Sequence, residues 1–257
     1  MNISSIFSAW LGKVVVGFSH GKRSKLYDYR IKYNDNQHVV KTYLNLLDPF
    51  FKDIVAPKNL IRLEYTKKDL DKVESFLEVN NIKDRIMGIC ATAAESAHSR
   101  VWPKEKFAIL CNKILDKHDL QIVFVGAPRD KEYNQRIIDM IKNNNKAINS
   151  AGKTTVKQSF ALIEKCSMLL SNDTGPMHIG AAQRTPTIGL FCPNTPVRFG
   201  PYGKENISIY NPVLKKPCIN VHLGKIPNCE NHNHMSNISV EEVFEAVEKL
   251  LESALKQ

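Results

Sequence analysis

Residues Ser171–Ala182 read SNDTGPMHIGAA, and this stretch decides the fold. The short apolar run Ser167–Ser171 ends where the polar turn begins. Pro176 then stands at the first position of a helix, where its missing N–H costs nothing. Asp173, Thr174 and Gly175 therefore span a tight strand-to-helix turn. Gly175 lets a ligand approach the backbone, and the unpaired N–H groups of the new helix point at whatever sits there. Such a terminus is an anion site suited to phosphate. His178, in the first helical turn, is a candidate for the same ligand. The alternative is that Asp173 caps the helix and His178 is a structural polar residue.

Working outward, the same alternation recurs. Ile86–Cys90, Gln121–Val125 and Thr187–Phe191 are short runs rich in aliphatic or β-branched residues, with Ala147–Asn149 and Ile207–Tyr210 weaker versions. Between them, Phe107, Leu110, Cys111 and Ile114 recur at the spacing of a core-facing helix, as do Tyr133, Ile137, Ile138 and Ile141. Strands alternating with helices predict βαβ units and a parallel sheet, with ligands at the carboxyl ends of the strands. The last helix carries its own start signal. Ser239 and Glu242 make a capping box, followed by Val243, Phe244, Val247, Leu250, Leu251 and Leu255 on one face.

Residues 1–84 read differently. Lys13–Phe18 is a strand, and Val40, Tyr43, Leu44 and Leu47 mark a helix, as do Leu70, Val73, Phe76 and Leu77. The polar stretch His20 to Gln37 has no clear element. One strand cannot make a doubly wound domain, so residues 1–84 are expected to form a partial α/β domain and residues 85–257 a complete one.

The chain has 257 residues, 36 Lys+Arg against 26 Asp+Glu, and a formal net charge of +10. With 43% hydrophobic and 24% charged residues, a buried core is available and disorder is excluded. The basic excess fits a nucleic acid, an anionic membrane face or a phosphorylated small molecule. No run approaches the roughly 20 apolar residues of a membrane-spanning helix. The opening MNISSIFSAWLGKVVVGF lacks a basic n-region, so no signal peptide is expected. Of the six cysteines, Cys90, Cys111, Cys166 and Cys192 lie in or beside apolar segments, where free Cys acts as a small hydrophobe. A reducing, cytoplasmic setting follows.

Three more turns carry chemistry. After Ile86–Cys90, Thr92 can donate a hydrogen bond and Arg100 can fork onto a phosphate; a loop Thr and a solvated Arg are the alternative. Trp102 reads as a packing anchor. In Gly126-Ala127-Pro128-Arg129-Asp130, Asp130 can accept from ribose hydroxyls, or simply supply an acidic first turn. Ala151-Gly152-Lys153-Thr154-Thr155 is not a P-loop, because Ala147 stands where the first glycine is needed, and no G-x-G-x-x-G occurs. Cys218, His222, Cys229, His232 and His234 fit no compact zinc pattern. Their segment reads as a surface excursion, with zinc as the alternative.

Together "RVWP", "GAPRD", "AGKTT", "SNDTGPMHIGAA" and "GLFCPNTPVRFGPYG" resemble, in order and spacing, the bacterial ADP-heptose:lipopolysaccharide heptosyltransferases, glycosyltransferase family 9. The resemblance is strong over roughly residues 85–257 and weak over residues 1–84. It implies a GT-B-like arrangement of Rossmann-like domains, the C-terminal one holding the nucleotide sugar. Thr92 and Arg100 would contact the diphosphate and Asp130 the ribose. Thr154 or Thr155 would line the nucleoside pocket, and Asp173, Thr174, Gly175 and His178 would hold the diphosphate and heptose. Repulsion argues against a phosphate contact for Asp173, leaving it sugar hydroxyls or the helix cap.

The family pattern also opens with a strand and a Gly-containing loop bearing an Asp thought to act as base, and Met1 resembles a point inside the N-terminal domain, past that loop. His20, Asp28 and His38 are nearby ionisable groups, and no catalytic residue is assigned. The implied activity is inverting, metal-independent transfer of heptose from ADP-heptose to the lipopolysaccharide core, without a cofactor. It would take place in the cytoplasm, peripheral to an anionic inner-membrane face that the basic stretch from His20 to Lys32 would meet. The alternative is a nucleotide-sugar-binding remnant without transfer. Nucleic acid is set aside for want of an aromatic-basic recognition motif.

Overall fold

A computed structural model describes residues 11–82, 85–94, 99–212 and 234–254. The chain divides into two compact units, residues 1–58 with Val197–Phe199, and residues 59–196 with 200–257.

The N-terminal unit is built on two short parallel strands, β1 (Val16–Phe18) and β2 (Tyr29–Ile31), followed by helix α1 (Val39–Leu44). β2 lies inside the polar stretch where the sequence predicts no element. Its Tyr-Arg-Ile has no apolar run, and backbone pairing makes it: Val16 stands opposite Tyr29, and the Tyr29 N–H donates to the Val15 carbonyl at 3.2 Å. Phe18 packs edge-on against Tyr33 and Tyr43, with ring centroids 5.0 and 5.7 Å apart.

The C-terminal unit opens with α2 (Lys67–Val79) and continues β3 (Ile86–Cys90), α3 (Lys104–Lys117), β4 (Gln121–Phe124), α4 (Lys131–Ile138) and β5 (Ala147–Asn149). Then come α5 (Val156–Lys165), β6 (Met168–Asn172), α6 (Gly175–Gln183), β7 (Thr187–Phe191), the four-residue α7 (Pro196–Phe199), of which Val197–Phe199 belong to the N-terminal unit, β8 (Ile207–Tyr210) and α8 (Val240–Ala254). All six strands of its sheet are parallel, in the order β5-β4-β3-β6-β7-β8. The two weak strand candidates are thus its two edges.

Both faces of this sheet are covered, so its central strands β3, β6 and β7 are buried along their whole length. Side chains alternate between two layers. Ile122, Phe124, Met168 and Leu170 join the core beneath α3, α4 and α8. Val123, Val125 and Leu169 join the one beneath α2 and α5. Ser239 and Glu242 make the expected capping box of α8, the Ser239 Oγ accepting from the Glu242 N–H at 3.1 Å.

The sequence boundary at residue 84 and the structural division differ at residues 59–84, which include α2, and at Val197–Phe199. Helix α2 belongs with the sheet because Val73 and Leu77 bury against Leu162 and Leu169. The preceding strand of chain is fixed there as well. The Gln183 amide pairs with both backbone groups of Leu63, at 2.8 and 3.2 Å, and Arg184 Nη2 donates to the Leu60 carbonyl at 2.7 Å.

Among the described residues no helix is long and apolar enough to cross a membrane. Cys90, Cys111, Cys166 and Cys192 are free and buried, as their apolar settings predict. Cys218, His222, Cys229 and His232 lie outside the described residues; His234 is buried at the start of a single helical turn, His234–Asn237.

Candidate functional site

The strand order places the topological switch point between β3 and β6. There the chains leaving the two neighbouring strands run to opposite faces, and a crevice opens at the strands' carboxyl ends. A cavity of about 620 Å³ occupies this position, a size suited to a small-molecule ligand. It gathers Thr92, Arg100, Asp130, Thr154, Thr155, Asp173, Thr174 and Gly175 from the turns after β3, β4, β5 and β6. Of the residues expected at the site, only His178 is not in the cavity wall. It is half-buried on α6, where the wall is made by Gly175, Pro176 and Ile179 instead.

The two polar turns meet directly. Arg100 Nη1 lies 3.3 Å from Asp173 Oδ2, with the Arg100 side chain 25% and the Asp173 side chain 6% exposed. Asn194 Nδ2 donates to the same carboxylate oxygen at 2.9 Å. Asp173 is therefore neither a helix cap nor unpaired. The N-cap of α6 is Thr174, which makes no side-chain cap bond, and Pro176 follows in the first turn. Thr174 Oγ1 instead lies 3.3 Å from Ser171 Oγ and 3.7 Å from Cys90 Sγ. With no side chain capping it and nothing within 4 Å of where a Gly175 Cβ would project, the helix start is open to the cavity. Burial raises the Cys90 thiol pKa, so the floor beneath Thr174 is uncharged.

The turn after β4 is shaped around Asp130. Its Oδ2 accepts from the Ala127 N–H at 2.7 Å, which folds the carboxylate back over Gly126. A Cβ at Gly126 would stand 2.8 Å from the Asp130 Cβ, so glycine is required there. In the neighbouring turn the Thr155 hydroxyl caps α5 by accepting from the Gln158 N–H at 3.3 Å. Thr154, beside it in the cavity wall, makes no cap bond among the described residues. Gly152 makes the turn possible with φ of 75°, a left-handed conformation favouring glycine.

The cavity's composition is two-sided. Arg100, Thr92 and the open helix start supply donors, while Val125, Pro128, Val156 and Ile179 supply an apolar wall. That combination suits a ligand with an anionic part and a flat apolar part. The apolar contributors were not singled out from the sequence, because they carry no chemical signature apart from the fold. Asn194 was likewise missed as a partner of Asp173; nothing local marks it. Trp102 is fully buried and stacks edge-on with Phe107 at 4.9 Å, as a packing anchor should.

Two ionisable groups of the N-terminal unit hold local structure. The His38 Nδ1 accepts from the Val40 N–H at 3.2 Å and caps α1. Asp28 Oδ2 accepts from the Val15 N–H at 2.7 Å.

The lipopolysaccharide core heptosyltransferase OpsX of Haemophilus influenzae is 29% identical to this chain over 255 residues, covering 93% of the chain and 69% of that protein. Two solved structures share the fold. A glycosyl transferase family 9 protein from Veillonella parvula superposes with a TM-score of 0.76 at 24% identity, over 98% of this chain and 70% of that one. The E. coli ADP-heptose LPS heptosyltransferase II superposes with a TM-score of 0.71 at 20% identity, over 97% of this chain and 73% of that one. The GT-B-like α/β class expected from the sequence is thus the class found. Residues 3–223 match the profile of Glycosyltransferase family 9 (heptosyltransferase), and the chain belongs to that family.

Proposed function

We propose that the chain binds ADP-heptose in the cavity at the β3/β6 switch point and transfers the heptose, with inversion, to a lipopolysaccharide core acceptor. The observation that carries this reading is the meeting of Arg100 with an uncapped helix N-terminus beside an apolar wall. The adenosine would lie along Val125, Pro128 and Val156, with Thr154 at its edge and the ribose toward Asp130. The diphosphate would lie between Thr92, Arg100 and the backbone of Thr174 and Gly175. Asp173, already held by Arg100 and Asn194, would face sugar hydroxyls.

In the reaction the bond from the heptose anomeric carbon to the diphosphate oxygen breaks as the acceptor hydroxyl oxygen bonds to that carbon from the opposite face. The leaving ADP gains charge, which the guanidinium and the helix N-terminus are positioned to stabilise without a metal ion. The hydroxyl proton needs an acceptor. None is assigned among the described residues, and its loss slows such a step about 10²–10⁴-fold. The engagement of His38 and Asp28 in local structure favours a second reading, donor binding without transfer.

The acceptor side would be the N-terminal unit. There the exposed Lys22, Arg23, Lys25 and Arg30, with Leu26 and Tyr29 exposed among them, would rest on the anionic face of a membrane. The test is an assay of purified protein with ADP-heptose and heptose-deficient core acceptor, with and without EDTA. ADP release matched by heptosylated acceptor of inverted configuration, unaffected by EDTA, supports the proposal. ADP-heptose binding with no product supports the second reading.

A further inference from the structure

Strand β6 is apolar along Met168, Leu169 and Leu170, then ends in Asn172, which has no solvent exposure. A fully buried amide is costly unless its groups are paired. Among the described residues the Asn172 side chain has one pairing. Its Oδ1 accepts from the Trp102 backbone N–H at 3.2 Å, across 70 residues of sequence. Its Nδ2 has no partner among the described residues.

Alternation along β6 puts Asn172 on the same face as Met168 and Leu170, the layer that also contains Trp102. Trp102 is held a second time by its indole N–H, which donates to the Ile238 carbonyl at 3.1 Å. Two residues upstream, Arg100 reaches Asp173. The adjacent residues Asn172 and Asp173 therefore grip one loop at two points, the backbone at Trp102 and the guanidinium at Arg100. Arg100 Nε is buried and has no partner among the described residues.

We propose that Asn172 is a positioning residue: through its bond to the Trp102 N–H it holds the Arg100 loop so that the guanidinium meets Asp173 at the wall of the cavity. The inference rests on the reading of the cavity as a diphosphate site. Asn172 touches no ligand; it acts through Arg100.

Two readouts test it. Calorimetric titration with ADP is run on wild type, Asn172→Leu, Arg100→Ala and the double variant. Asn172→Leu is expected to weaken ADP about 10-fold, and the double variant to bind no more weakly than Arg100→Ala, because the two residues act as one unit. Additive losses would overturn the proposal. Hydrogen exchange of the Trp102 amide, without ligand, is the second readout. Asn172→Leu is expected to speed exchange more than 10-fold, while Asn172→Asp, which keeps the acceptor oxygen, retains protection. Unchanged exchange in Asn172→Leu, or fast exchange in a folded Asn172→Asp, would overturn it. If wild type does not bind ADP, the donor-site reading fails, and the exchange result alone decides whether Asn172 holds the loop.

Discussion

Arg100 Nη1 stands 3.3 Å from Asp173 Oδ2, so the turns after β3 and β6 are tied together where their strands lie side by side. One guanidinium thus pairs with a buried carboxylate and also lines the cavity. Substituting Arg100 with Ala is expected to weaken ADP about 10–100-fold, in keeping with the strength of charge-assisted bonds to phosphate. Arg100→Lys should recover only a small part, because an ammonium cannot reach Asp173 and a phosphate with a planar fork. Calorimetry on both variants measures this; equal affinity for wild type and Arg100→Ala would remove Arg100 from the site.

Gly175 offers a separation of binding from stability. Apart from its chain neighbours and its own helix backbone, no atom of the described residues lies within 4 Å of where its Cβ would be, and the residue lines the cavity. Gly175→Val should therefore leave the unfolding free energy measured in urea nearly unchanged, within about 0.5 kcal/mol, yet abolish ADP binding by filling the approach to the helix start. A variant that unfolds early, or one that binds normally, counts against this placement.

Gly180, one and a half turns further along α6, behaves oppositely. A Cβ there would collide with Thr187 Oγ1 and stand 2.8 Å from Leu169 Cδ2, because α6 lies tight against the sheet. Gly180→Ala should cost about 1–3 kcal/mol, the usual range for overpacking a core. Chemical denaturation of the variant checks it, and wild-type stability would contradict the packing described.

Alkaline pH should destabilise the fold. Burial raises the Cys111 thiol, pushes the Cys166 thiol up to about 12 and raises the Tyr133 phenol to about 12. In the unfolded chain thiols lose their protons near about pH 8.5 and phenols near about pH 10. Above those values the unfolded state binds fewer protons than the folded one, so stability falls, by roughly 1.4 kcal/mol per pH unit for each such thiol. The contribution is complete below about pH 8.5 and is lost progressively toward the folded values near 12. Urea unfolding at about pH 8 and about pH 10 measures the slope; a flat profile would contradict it.

Much of the site was legible because polar turns at strand ends leave a local mark. Pro176 after Asp173-Thr174-Gly175, Asp130 after Gly126, and Thr154-Thr155 after Gly152 all lie on one cavity, since parallel strands present their carboxyl ends on one edge. What the sequence hid was what the fold alone brings together. Asn194 meets Asp173, and Asn172 meets Trp102, across long stretches of chain. β2 was illegible for another reason: its three residues carry no apolar pattern, and pairing with β1 rather than composition makes them a strand. Helix α2 was legible as a helix, but its packing partner was not, because an apolar stripe does not say which face it will cover.

The central claim is that the cavity at the β3/β6 switch point takes a nucleotide diphosphate. Titrating wild-type protein with ADP in EDTA, by calorimetry, tests it most directly. One ADP per chain, displaced by ADP-heptose and lost in Gly175→Val, is the predicted result. No binding, or binding that Gly175→Val leaves intact, would contradict it.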